Sequence, residues 1–174
     1  MWLLLPISSL GILRHMTLKS IVIFASLALL PISELRGAIP YGLAAGGALG
    51  WVAPLAIGIN CLVPLIAFLF LDTLHKLFLK WAWYARLFES FSKKTIAKIH
   101  PQVEKYGYLG LLVFVAIPLP ITGAWTGALG AWLLEMDKKK ASIMIFAGVI
   151  CAGIIVSLVL LLGIKGFEIF IKRI

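Results

Sequence analysis

Three stretches, Gly37–Leu71, Tyr106–Leu134 and Ala141–Ile164, contain no Asp, Glu, Lys or Arg. Each is longer than the roughly 20 apolar residues that cross the hydrocarbon core of a bilayer. Hydrophobic residues make up 62% of the chain and charged residues 13%, where soluble domains average about 45–50% and about 25%. The sequence therefore specifies an all-α polytopic membrane protein. No hydrophilic block is large enough for a soluble domain, so a single membrane domain is expected over residues 1–174. Any function is expected at membrane depth or at the membrane surface.

The net charge of +9 is not a nucleic-acid signal here. The basic residues flank apolar runs, where they would meet anionic lipid heads. Cys61 and Cys151 lie inside separate apolar segments, where a free thiol packs as a small hydrophobe. His15, His75 and His100 are too scattered for a metal site, and no cofactor is implied. The opening "MWLLLPISSLGILRH" has no basic residue ahead of its apolar run. It reads as an interfacial anchor over 1–16 rather than a signal peptide.

Two stretches resemble each other. "AIPYGLAAGGALG" (38–50) and "AIPLPITGAWTGALG" (116–130) both open with Ala-Ile-Pro and close with Gly-Ala-Leu-Gly. They sit in a repeating order: a broken apolar segment (17–50), a span (51–74), an amphipathic linker (75–102), a second broken segment (103–134) and a second span (141–163). From Tyr41 to Gly50 a helix would run ~15 Å, and from Tyr106 to Ile117 ~18 Å. Neither covers a hydrocarbon core of ~30 Å. Pro40, Pro118 and Pro120 interrupt helical hydrogen bonding, so each broken segment is expected to be a re-entrant hairpin with its tip near mid-membrane. Such backbone is tolerated only where it is buried in protein or lines a wet cavity. The rival expectation is a kinked full span. Glycines four residues apart (Gly42, Gly46, Gly50; Gly123, Gly127) suit close helix approach.

Two hairpins, each followed by one span, would enter from opposite faces. That makes two inverted repeats, a transporter design with its site where the breaks meet. The side holding 76–105 and 135–140 carries ten Lys and Arg against five on the other, which places the central linker in the cytoplasm. The linker "HKLFLKWAWYARLFESFSKKTIAKIH" puts Leu77, Trp81, Tyr84, Phe88 and Ile99 on one face, as an interfacial helix would.

Glu34 and Arg36, in "SELRGAIP", are the sharpest candidates for chemistry, because an ionisable residue within a membrane segment is costly and marks function by default. Arg36 suits a phosphate or carboxylate. Glu34 suits pairing with Arg36, or binding and releasing a proton. If 33–37 is instead a wet loop after a complete span, the pair is a minor surface ion pair. Pro118, Pro120, Thr122, Gly123, Trp125 and Thr126 would form the second tip, where a helix N-terminus near Gly123 favours an anion. Asp72 is expected to pair with Lys76 at i,i+4, and Asn60 to hydrogen-bond a neighbouring helix. No catalytic triad, paired carboxylates or phosphate-cradling loop is present, so an enzyme is not expected.

"ELRGAIP" together with "IPLPITGAWTGALGA" resembles the small multidrug export family, a distant relative of the DedA/VTT membrane proteins. The resemblance covers about residues 17–164. It implies paired re-entrant hairpins and transport. DedA-type relatives are linked to moving lipids, including undecaprenyl phosphate, and to proton-dependent transport; others in the wider group are scramblases. Glu34 and Arg36 match the charged first tip of DedA proteins. The second tip lacks their usual Arg, and Ile121 stands where a glycine is expected. The leading expectation is a transporter or scramblase of an anionic lipid such as a polyprenyl phosphate, in a prokaryotic inner membrane. The alternatives are a proton-coupled exporter of small amphipathic drugs, with Glu34 holding the cation, and a non-transporting assembly factor. Expected partners are membrane lipids, an anionic lipid or amphipathic substrate, and a second copy in a homodimer.

Overall fold

The computed structural model describes residues 16–119 and 122–171, with side chains through Gly163. All regular structure in these residues is helical: α1 Leu18–Leu29, α2 Glu34–Ala44, α3 Leu49–Asn60, α4 Val63–Asp72, α5 Leu74–Phe78, α6 Ala82–Tyr106, α7 Tyr108–Ala116, α8 Ala124–Leu133 and α9 Lys138–Ile171.

Length divides these helices into two kinds. Leu49–Asp72, joining α3 and α4, has 24 residues, and the apolar part of α9, Lys138–Gly163, has 26. At ~1.5 Å per residue they reach about 36 and about 39 Å, enough to span. By contrast α1, α2, α7 and α8 have 12, 11, 9 and 10 residues, so none exceeds about 18 Å. The outward faces of the long helices are apolar: Leu69 and Leu162 are 67% and 70% exposed. Lipid in place of water accounts for such surfaces.

The breaks have local causes. Thr17 caps α1, its Oγ1 accepting from the Ser20 N–H at 3.2 Å. Pro31 follows the last turn and cannot continue the ladder. Pro118 ends α7 in the same way, one residue after the cap Ile117. Pro40 does not mark a tip, contrary to expectation: it lies inside α2. Its ring satisfies helical φ, and only the bond to the Arg36 carbonyl is lost. The first break is instead Leu30–Ser33.

The paired sequence motifs are consequently not structural equivalents. Ala38-Ile39-Pro40 is mid-helix, whereas Ala116-Ile117-Pro118 leaves a helix. Gly47-Ala48-Leu49-Gly50 opens α3, and Gly127-Ala128-Leu129-Gly130 lies within α8.

The core forms where the short helices meet the long ones. α9 packs along α7 and also touches α2, α3 and α8. Phe24, Ile39, Val52, Phe114, Ile145 and Val149 are all buried there. The linker does more than lie flat. α6 packs on α7 and α8, burying Ser92, Thr95 and Ile99. A Cβ on Gly130 would stand 2.7 Å from Ile99 Cδ1, so the α6–α8 approach needs glycine there. Gly130→Ala is expected to lower stability by about 1–3 kcal/mol through overpacking, read as a drop in thermal unfolding temperature in detergent.

Candidate functional site: the crossing of the broken segments and the cavity beside it

Glu34 opens α2 and reaches the start of α8. The N–H groups of Ala124 and Trp125 donate to its Oε2 and Oε1 at 3.3 and 3.2 Å. These are unsatisfied donors of a helix N-terminus, and a carboxylate also complements the positive end of the helix dipole. The cap therefore comes from a residue 90 positions away. Glu34 is 6% exposed and has φ of 46°, a left-handed conformation that non-glycine residues adopt at a cost.

Gly123 makes the approach possible. Its φ is 134°, and an added Cβ would collide with the Glu34 carboxylate. A second bond ties the two breaks together. Trp125 Nε1 donates to the Leu29 carbonyl at 2.7 Å, satisfying an orphan acceptor at the end of α1. Trp125→Phe would strand that carbonyl, for an expected loss of about 1 kcal/mol in unfolding experiments.

The expected Glu34–Arg36 pairing does not form: no ion pair within 4 Å joins them among the described residues. The carboxylate turns to α8, while Arg36 lines a separate cavity of about 540 Å³. Its other walls are largely apolar and aromatic: Phe70 and Leu71 of α4, Tyr84, Phe88 and Phe91 of α6, and Trp125, Thr126 and Leu129 of α8. Arg36 is the one charged side chain lining it among the described residues.

The remaining candidates divide. Thr126 and Trp125 line the cavity. Thr122 serves its own loop, its Oγ1 bonding the carbonyls of Ile117 and Leu119 at 2.6 and 2.8 Å. Pro118, Thr122 and Gly123 line a smaller gap beside Glu34, while Pro120 and Ile121 lie outside the described residues. Asn60 donates through Nδ2 to the Ala28 carbonyl at 2.8 Å, the bond to a neighbouring helix that its position suggests. Asp72 does not pair with Lys76. It accepts from Lys138 Nζ and, at 3.1 Å, from Trp132 Nε1, because α8 and the start of α9 bring those donors to the end of α4.

Sequence reasoning missed that α6 would wall a cavity. Tyr84 and Phe88 share an apolar face in the sequence, but an interfacial helix and a cavity wall carry the same pattern. His75 fixes this wall. It is buried, with Nδ1 3.0 Å from Tyr84 Oη and its ring centroid 4.0 Å from that of Phe88. Burial lowers its pKa below the ordinary imidazole value. A depressed imidazole pKa contributes stability above the unfolded value, about 6.5, that is lost as pH falls below it. Thermal stability is expected to fall from pH 7 to pH 5, and the fall should be smaller in His75→Phe.

Two helices long and apolar enough to span, with lipid-suited outward faces, define the class as an all-helical membrane protein. Residues 34–155 match the family described as "Putative small multi-drug export protein". The chain belongs to that family, and the match begins at Glu34. No curated protein and no solved structure matches the chain.

Proposed function

We propose that the protein exports small amphipathic compounds, taking them from the membrane into the cavity beside Arg36. The observation that carries this reading is the cavity: about 540 Å³, largely apolar and aromatic, with one cationic side chain. Small-molecule sites have about 300–1,000 Å³ and the same character. Membership of the export family supports the reading. Glu34 is not the cation binder of such a site, since its carboxylate is engaged by α8.

In this reading the short pairs α1–α2 and α7–α8 are re-entrant hairpins, each followed by a spanning helix. Together they form inverted repeats around the crossing. Their lengths, and the meeting of the two breaks through Glu34 and Trp125, support this arrangement. The membrane is the prokaryotic inner membrane with α6 on the cytoplasmic side, supported by the excess of basic residues there. Pairing of two copies would enlarge the enclosed volume.

A second reading is translocation of an anionic lipid such as a polyprenyl phosphate, following the DedA resemblance. Arg36 as the one charge lining the cavity among the described residues favours it. Proteoliposomes loaded with a rhodamine cation, a dansylated fatty acid or a labelled polyprenyl phosphate separate the readings. Export of the dye or fatty acid, lost on filling the cavity with Ala67→Phe, is expected. Movement of the polyprenyl phosphate alone would favour the second reading. Movement of none would overturn transport.

A further inference from the structure

The gap beside Glu34 is distinct from the large cavity, and Arg36 lines both. It measures about 10 Å³, room for about one water molecule. Asn60 lines it from the end of α3. That residue is wholly buried, and its Oδ1 accepts no hydrogen bond among the described residues. Its Nδ2 is committed to the Ala28 carbonyl. The amide orientation is therefore fixed, because a flipped amide would set oxygen against oxygen. An unsatisfied buried acceptor costs about 1–3 kcal/mol, and a bridging water removes that cost.

We infer that this gap is a single-water site, and that its water links Asn60 Oδ1 to the Glu34 carboxylate and is the route by which protons reach Glu34. A water has two hydrogens to donate; the side chains lining the gap with acceptor oxygens are Glu34, Asn60 and Thr122, and the Thr122 hydroxyl is occupied within its own loop, which leaves Asn60 Oδ1 and the Glu34 carboxylate. It can also accept hydrogen bonds, and Arg36 borders the same gap. The inventory matches a water. A bound monovalent cation would instead face the Arg36 charge. The groups turned to the gap from other helices include Asn60 of α3, Val115 of α7, and Val149 and Ala152 of α9. None of them titrates, so Arg36 is the other charged group that Glu34 meets there among the described residues.

The consequence is a latch. When an excess proton from acidified solvent reaches this water, the water takes it up as it gives one of its own to Glu34, so that it is left as neutral water and the carboxylate becomes a neutral acid. The charge that held the Ala124 and Trp125 N–H groups is then gone, and so is its attraction for the helix dipole. The α8 start and α2 are free to separate. Coupling of protons to transport rests on the proposed export reading, but the water site and the proton route do not.

The test is infrared difference spectroscopy on the protein in lipid vesicles, with no transport substrate present. Acidification should produce the C=O band of a protonated carboxyl, absent in Glu34→Gln. On transfer to D2O the wild-type band should shift promptly, and in Asn60→Leu it should shift at least about tenfold more slowly, the equivalent of losing one hydrogen bond of about 1.4 kcal/mol. A wild-type band that fails to exchange would overturn the water route without reliance on any variant. Equal exchange in folded Asn60→Leu would overturn the role of Asn60. Suppression of the band by sodium, but not by choline at equal ionic strength, would mean a cation site instead. Transport failure with these spectra intact would count against export alone.

Discussion

Gly123→Ala should be strongly destabilising for a change that adds a single methyl group. The added Cβ meets the Glu34 carboxylate, and the backbone at φ 134° disfavours any side chain. A strained conformation of this kind costs about 1–3 kcal/mol, and loss of a helix cap about 1 kcal/mol. The expected total is about 3 kcal/mol. Cys61 and Cys151 are free thiols, so melting can be followed with a thiol-reactive dye in detergent. The second half of the prediction is more specific. Glu34→Gly removes the colliding carboxylate and relieves the backbone strain at φ 46°. Combined with Gly123→Ala, it should cost much less than the sum of the two single changes. Strict additivity would mean that the two breaks do not touch.

Arg36→Ala should behave in the opposite way, leaving the fold and removing the site. Arg36 forms no ion pair among the described residues, so thermal stability should change by less than about 1 kcal/mol. Binding of a dansylated fatty acid, read by its fluorescence, should weaken at least tenfold, since a hydrogen bond to a charged group is worth about 1.5–3 kcal/mol. Arg36→Lys should retain part of the affinity, because it keeps the charge and loses the planar fork. A neutral amphiphile of the same chain length should bind both variants almost as well as the wild type.

What could be read in the sequence followed from charge and length. The spans read from the charge-free runs, 51–74 and 141–163, lie within three residues of the apolar helices Leu49–Asp72 and Lys138–Gly163, while α9 itself runs on to Ile171. Glu34 stood out because a carboxylate between apolar runs demands a partner. Its actual partner was not legible. Arg36, two residues away, was the obvious choice, yet the carboxylate serves backbone N–H groups of a helix 90 residues on. No residue type announces a backbone donor. Pro40 misled because proline ends a helix only where its missing N–H and ring cannot be absorbed, and α2 absorbs both. Pro31, two residues before Ser33, whose hydroxyl donates back to the Leu27 carbonyl, carried the real break. The repeated Ala-Ile-Pro and Gly-Ala-Leu-Gly motifs matched in composition, not in structural position. Asp72 was assigned by sequence spacing to Lys76, but the tertiary fold delivers Lys138.

The cavity was invisible for a different reason. Its aromatic walls come from α4, α6 and α8, and each looks like an ordinary apolar face by itself. Only packing shows that these faces enclose a volume rather than meet. Photolabelling tests most directly whether that volume holds substrate. A diazirine-bearing fatty acid would be irradiated with the protein in native-like vesicles, and the labelled peptides mapped by mass spectrometry with and without excess unlabelled compound. Competable labelling of Phe70, Phe88, Phe91 or Trp125, lost in Ala67→Phe, is the expected result. Labelling confined to the outward faces of α9 and α4, at residues such as Leu69 and Leu162, and indifferent to competitor, would contradict it.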